Sequence, residues 1–179
     1  KPLSPYAVAK SHLLNLCQHE REKNEVNVST VIPFNHESPF RGSTFLIPKI
    51  VKFIKNLHLG NYQAKLTLGN LDIERDWGWA PDFCQAIIMV AEATEPDTFI
   101  ISTGKANSIR KLIKILFQYH GLEYLDWIII DEGLVRKDEA KLTYGSYDKI
   151  HTKIGWRPHT SFEALPCRLF TPIKEHIDE

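Results

Sequence analysis

Ala9, Leu13, Leu16 and Cys17 recur at the spacing of one helix face, in a run that opens on Ser4-Pro5. Ser4 suits an N-cap and Pro5 the first helical position, where its missing N–H costs nothing, so the spacing predicts a helix from there to about Glu22. Val26, Val28 and Ile32 mark a strand that ends at Pro33. Phe45, Ile50, Val51, Ile54 and Leu57 form a helical stripe between Thr44 and Leu59, with Pro48 in its first turn or kinking it. Lys65 to Leu68 alternates as a short strand closed by the turn pair Gly69-Asn70. Pro81 opens another helix, with Phe83, Ile87, Val90 and Ala91 on one face. Thr98 to Ser102 reads as a strand turned by Thr103-Gly104. Asn107 or Ser108 then caps a helix that turns Ile109, Leu112, Ile113 and Leu116 inward and stops at Gly121. Trp127 to Ile130 is a further strand, and two small helices follow, near Tyr147 to Ile154 and Phe162 to Phe170, the second capped by Ser161.

Strands and helices thus alternate along the chain, which is an α/β pattern. There is no repeat, low-complexity run or linker, and 179 residues suffice for one domain with a real core but not for two. A dinucleotide-binding α/β domain opens with a strand and a glycine-rich turn at a helix N-terminus. None of the nine glycines makes such a fingerprint, so the dinucleotide-binding half is expected to lie outside this chain. The start at Lys1, directly in front of a motif, likewise reads as internal.

Charge and composition narrow the partners. Lys+Arg 22 against Asp+Glu 22 leaves no net charge, so nothing draws the chain to nucleic acid or an anionic membrane, while local Arg and Lys can still hold a phosphate. No apolar stretch is long enough to span a bilayer. Cys17, Cys84 and Cys167 lack metal spacing and read as reduced, partly buried thiols of an intracellular, cytoplasmic protein, with a catalytic thiol as the second reading.

Candidate chemistry begins with Tyr6 and Lys10. At i and i+4 on one helix their side chains share a face, and an ammonium beside a phenol favours the phenolate, bringing a weak base toward the useful range. The same spacing also describes two unrelated surface residues. The lead-in decides more: Ser4-Pro5-Tyr6-Ala7-x-x-Lys10 resembles the active-site helix of the extended short-chain dehydrogenase/reductase superfamily.

Two further segments narrow the resemblance to GDP-mannose 4,6-dehydratases. Phe34-Asn35-His36-Glu37-Ser38-Pro39-Phe40-Arg41-Gly42-Ser43-Thr44-Phe45 is similar to that family's Phe-Asn-His-Glu-Ser-Pro-Arg-Arg-Gly segment, with Phe40 replacing the first Arg. Leu68-Gly69-Asn70-Leu71-Asp72-Ile73-Glu74-Arg75-Asp76-Trp77-Gly78 is similar to its Leu-Gly-Asn-Leu-Asp-x-x-Arg-Asp-Trp-Gly, with Trp79 where a small or polar residue is usual. Thr103-Gly104, Ser108-Ile109-Arg110 and Ile154-Gly155-Trp156-Arg157-Pro158 continue the likeness. It thins at Arg136-Lys137-Asp138-Glu139, where the family's Pro is lost.

The resemblance implies the C-terminal half of a Rossmann-type extended short-chain dehydrogenase/reductase fold, as one partial domain carrying the small substrate-binding subdomain. It implies Tyr6 and Lys10 as catalytic residues that also meet the cofactor NADP, with His36 and Arg41 near that cofactor. Asn35, Arg75 and Arg136 would bind the sugar nucleotide, GDP-mannose. Arg75 would take two phosphate oxygens in its planar fork, with Asp76 orienting it, although the two could equally form a surface ion pair. Lys49 is either a further ligand or a solvated helix lysine.

For a complete enzyme the implied reaction is the conversion of GDP-mannose to its 4-keto-6-deoxy derivative, with a hydroxyl residue and a Glu from the preceding half completing the site. A homo-oligomer or a separate N-terminal partner half is expected. A noncatalytic subunit of an assembly, or an epimerase or reductase acting on another sugar nucleotide, are the alternatives.

Overall fold

The computed structural model describes residues 2, 4–61, 65–134 and 140–171. Helix α1 spans Pro5–Lys23; the Ala7 N–H donates to Ser4 Oγ at 3.1 Å, and Pro5 occupies the first turn, as the sequence predicts. Its packing differs from expectation. Ala9, Leu13 and Leu16 face solvent, and the half-buried stripe is Ala7, Ser11, Leu14, Cys17 and Arg21. No residue of α1 is fully buried. The helix is tied down at its far end, where Arg21 donates to the Val28 carbonyl at 3.0 Å and to Thr98 Oγ1 at 3.1 Å.

Strand β1 (Thr30–Pro33) starts later than the apolar pattern implies, because only these four residues find a parallel partner, in β5 (Thr98–Ile101). Val26 stays exposed outside the ladder. Beyond Pro33 the chain continues into β2 (Asn35–Glu37), which runs parallel to β4 (Glu74–Trp79). Antiparallel β6 (Ala106–Ser108) and parallel β8 (Leu142–Thr143) also pair with β4. None of these four was foreseen. Three are only two or three residues long, and β4 buries Asp76, Trp77, Gly78 and Trp79 in succession, which erases the alternation that signals a strand. A third parallel pair joins β3 (Leu66–Leu68) to β7 (Ile128–Ile130), with Leu66 opposite Ile128.

Helices cover these strands as two cores. One gathers α2 (Leu46–His58) and α4 (Ile109–Gln118) around β3 and β4, burying Ile47, Ile50, Ile54, Leu112, Leu116 and Phe117. Pro48 sits in the first turn of α2, where no N–H is missed. Ser108 caps α4 by accepting from the Lys111 N–H at 3.1 Å. The other core joins α3 (Ala80–Glu92), β5 and α5 (Asp148–Ile154) through Phe83, Phe99, Ile101, Ile150 and Trp156. On α3 the buried stripe is Phe83, Ala86 and Val90, so Ile87 and Ala91 lie outside it.

The last helix, α6 (Leu165–Phe170), follows a 3-10 turn over Phe162–Ala164. Ser161 precedes that turn without a side-chain cap bond; Asp82 of α3 organises the segment instead, accepting from the N–H groups of His159 at 3.0 Å and Thr160 at 2.7 Å. Cys17 is half-buried, whereas Cys84 and Cys167 are exposed, against the expectation of partly buried thiols. Among the described residues no helix is long and apolar enough to cross a membrane.

Candidate functional site

Asn35, Glu37, Arg41, Asn70, Arg75 and Trp77 line a cavity of about 360 Å³, together with apolar side chains from the start of α2 and the ends of β3 and α4. The size falls in the usual range for small-ligand sites, roughly 300–1,000 Å³. Its position follows from the topology. Asn35 comes straight after β1 and Gly69-Asn70 straight after β3, so both segments leave the carboxyl ends of parallel strands, where α/β folds collect ligands.

β2 places its residues by register. Asn35 lies opposite Trp77, His36 opposite Gly78 and Glu37 opposite Trp79. Alternation turns Asn35 and Glu37 to one face and His36 to the other. The His36 ring packs 5.2 Å from the Phe83 ring, and its Nδ1–H donates to the Phe34 carbonyl oxygen at 2.8 Å, which fixes the proton on that nitrogen. Gly78 makes this packing possible: a Cβ there would come within 2.2 Å of the Phe83 ring.

Arg41 closes the cavity from the loop after β2. One terminal N–H donates to the His36 carbonyl oxygen at 2.8 Å, the guanidinium lies 4.3 Å from the Phe45 ring centroid, and Nε stands 3.6 Å from Glu37 Oε2. The Glu37 side chain is only 3% exposed. Burial pushes its carboxyl up to about 7, against the lowering effect of Arg41. Neither Glu37 Oε2 nor Arg41 Nε has a hydrogen-bond partner. Arg41 also walls a second cavity, of about 550 Å³, bounded by Ser38, Lys52, Lys55 and Leu169.

Arg75 reaches the main cavity from β4, with one terminal N–H donating to the Glu74 carbonyl oxygen at 2.8 Å. Asp76 does not orient it as expected. Successive strand residues point to opposite faces, and the Asp76 carboxylate turns away to accept from the Thr103 N–H and hydroxyl, each at 2.8 Å, and from the Gly104 N–H at 3.0 Å. The Thr103-Gly104 match is thus tied to the same strand that carries Arg75. Of the three departures, Trp79 is buried in the main core, Phe40 is exposed, and the lost Pro after Arg136 falls outside the described residues.

The remaining candidates stand apart from the cavity. Tyr6 and Lys10 share a face of α1, with Lys10 Nζ 5.6 Å from the Tyr6 ring centroid, but Tyr6 is 73% exposed and neither residue lines the cavity. Lys49 is exposed on α2 and lines neither cavity described above. Arg136 falls outside the described residues. Glu37 escaped the sequence reading, although its i, i+2 relation to Asn35 was the signal that would have placed both on one face. For a dinucleotide, no glycine-rich phosphate cradle occurs among the described residues, and the phenol of Tyr6 and the ammonium of Lys10 share one exposed helix face.

The family model for GDP-mannose 4,6 dehydratase matches residues 1–168. GDP-mannose 4,6 dehydratase 2 of Arabidopsis thaliana is 34% identical over 178 residues, covering 99% of this chain and 46% of its own length. GDP-mannose 4,6-dehydratase of Sinorhizobium fredii is 32% identical over 186 residues, covering 94% of this chain and 52% of its own. The chain therefore spans about half the length of the curated relatives it matches.

Among solved structures, RMD from Pseudomonas aeruginosa complexed with NADPH has a TM-score of 0.84 at 25% identity, over 95% of this chain and 56% of that one. DesIV, a dTDP-glucose 4,6-dehydratase from Streptomyces venezuelae with NAD and TYD bound, shares the fold at a TM-score of 0.77 and 24% identity, over 94% of this chain and 50% of that one. The α/β fold thus corresponds to about half of a sugar-nucleotide dehydratase. Because the family match takes in the α1 motif and both segments that build the cavity, the chain belongs to the GDP-mannose 4,6-dehydratase family of extended short-chain dehydrogenases/reductases.

Proposed function

We propose that this chain supplies the sugar-nucleotide side of a GDP-mannose 4,6-dehydratase, as a single partial domain whose complement is a dinucleotide-binding half. The observation that carries the proposal is the convergence of Asn35, Arg41 and Arg75, from two family-matching segments, on one cavity at the carboxyl ends of parallel strands. One guanidinium and an amide suit a diphosphate: the planar Arg75 fork can take two oxygens at once, and Asn35 can donate to a third or to a sugar hydroxyl, while Arg41 walls the cavity where the cofactor is expected. Arg136 would meet the diphosphate from the opposite side, and Lys49 would act only at the nucleotide's outer edge.

Tyr6 would exchange a proton with the sugar 4-hydroxyl, and Lys10, one turn along the same helix face, would donate to the cofactor ribose. NADP bound against Tyr6, Lys10, His36 and Arg41 would supply the hydride acceptor and donor. Overall, GDP-mannose loses one water and becomes GDP-4-keto-6-deoxymannose with no net redox change. The base for the C5 proton belongs to the complementary half.

The test is turnover of GDP-mannose by the full-length protein with NADP, read as formation of the 4-keto-6-deoxy sugar nucleotide. Tyr6→Phe should abolish turnover with binding retained, and Arg75→Ala should raise the GDP-mannose Kd about tenfold or more, as loss of a charged hydrogen bond worth about 1.5–3 kcal/mol requires. Turnover of a UDP- or dTDP-sugar instead would make the protein an enzyme for another sugar nucleotide. One observation favours an interaction module: α1 buries no residue and exposes Val8, Leu13 and Leu16. That reading predicts stable association with another protein and no turnover of any of the three nucleotide sugars.

A further inference from the structure

Glu37 is the anomaly of the cavity. A carboxylate oxygen with no hydrogen-bond donor is costly in a buried place, and Oε2 has none, although it borders a cavity large enough for a ligand. Its nearest cation among the described residues, Arg41 Nε, stands at 3.6 Å and is itself without a hydrogen-bond acceptor. The pair attracts but does not bond. Arg41 is meanwhile held in place independently, by its bond to the His36 carbonyl and its seat on Phe45, so it does not depend on Glu37 for its position on the loop.

Among the described residues, Arg41 is the charged side chain paired with Glu37. On β2 His36 is bonded to the Phe34 carbonyl and packs on Phe83. From β4, Arg75 lines the same cavity, Glu74 is exposed, and Asp76 is taken by Thr103 and Gly104. On α3 Asp82 accepts from His159 and Thr160, and on α2 Lys49 and Lys52 are exposed.

We infer that Glu37 is a proton-linked positioning residue: an anionic ligand enters the cavity together with a proton on Glu37. The inference rests on the cavity being the anion site proposed above. An ionised Glu37 opposes an incoming diphosphate and partly neutralises Arg41. A protonated Glu37 does neither, and its O–H turns an acceptor that lacks a donor into a donor that an anion can use. The carboxyl already sits near the balance point, at about 7, so a nearby anion tips it within the physiological range.

The probe is GDP-mannose, whose diphosphate is a diester and so keeps a constant charge around neutrality. Calorimetric titration of the full-length protein, in buffers of different ionisation enthalpy, should show proton uptake on binding near pH 7.5. The Kd should be about tenfold weaker near pH 8.5 than near pH 6, the change that a shift of one unit in the Glu37 midpoint produces. Glu37→Gln should bind with a Kd that varies by less than about twofold over that range and take up no proton. A merely structural Glu37 would change stability without changing this slope.

Carbon-13 carboxyl NMR of the wild type provides a readout that needs no variant: the Glu37 midpoint should move up when GDP-mannose is added. A flat wild-type pH profile, a Glu37→Gln slope equal to wild type, or an unmoved midpoint on ligand binding overturns the inference. Failure of GDP-mannose to bind at any pH refutes the functional reading instead. Sulfate, also of constant charge, then tests the anion linkage through the same midpoint, which overturns the inference if it stays put.

Discussion

A carboxyl that burial holds at about 7, when its ordinary value is 4.5, makes folding itself depend on pH. Below 4.5 both folded and unfolded chains carry the proton and Glu37 contributes nothing to the pH dependence. Between 4.5 and 7 the unfolded chain releases it first, so the stability present at acid pH is progressively lost, by an amount on the order of 3 kcal/mol, and above 7 the loss is complete. Glu37→Gln should remove that slope, as urea denaturation at a series of pH values would show; an unchanged slope would mean the carboxyl is ionised throughout. Asp97 works in the opposite sense. Lys149 and Lys153 at 2.6 and 2.7 Å, with the Thr98 N–H, hold its carboxyl well below the usual range despite opposing desolvation. Its contribution is present above the ordinary value of 3.8 and is lost as pH falls from there through the depressed value of the folded chain. Asp97→Asn should therefore cost about 1 kcal/mol at neutral pH and nothing in strong acid, by the same denaturation measurement.

At the scale of elements, β4 does two jobs with opposite faces: it carries Arg75 to the cavity and Asp76 to the Thr103-Gly104 turn. Asp76→Ala strips three donors of their acceptor and should destabilise by about 2–3 kcal/mol in urea denaturation. Gly78→Ala should cost about 1–3 kcal/mol, because the Phe83 ring must move and His36 rests on it. These strand effects were not legible in the sequence, whereas Ser4-Pro5, Pro48, Pro81 and Ser108 were, and the reason is range. A cap or a first-turn proline acts within one turn of helix, so neighbouring residues carry the whole signal. β2, β6 and β8 exist only through their pairing with β4, tens of residues away. The candidate site divides in the same way. Asn35, Arg41 and Arg75 stood out through matched motifs, but Glu37 draws its character from burial, which motifs do not report. Asp76 was assigned to its sequence neighbour when its partners lie at Thr103 and Gly104.

At the scale of the molecule, the open question is what faces α1 and the outer edge of β1. The half-buried stripe of α1 runs Ala7, Ser11, Leu14, Cys17 and Arg21, while Val8, Leu13 and Leu16 are each about half exposed or more. β1 pairs on one side only, with β5, so among the described residues its other side presents unpaired strand groups. Ile87 and Ile88 add apolar surface on α3. A helix of 19 residues with no buried side chain takes little stability from packing, and packing is what ordinarily holds a helix on a domain. It follows that Tyr6 and Lys10, borne on this helix, are placed firmly only when something covers it. The 179 residues taken alone should accordingly associate into species heavier than 20.6 kDa at micromolar concentration. Leu13→Glu with Leu16→Glu should shift them toward monomer in light scattering while leaving the circular dichroism of the domain unchanged. If the wild-type chain is monomeric and hydrogen exchange protects α1 as strongly as α4, then the chain itself covers that face, and Tyr6 is placed without a partner.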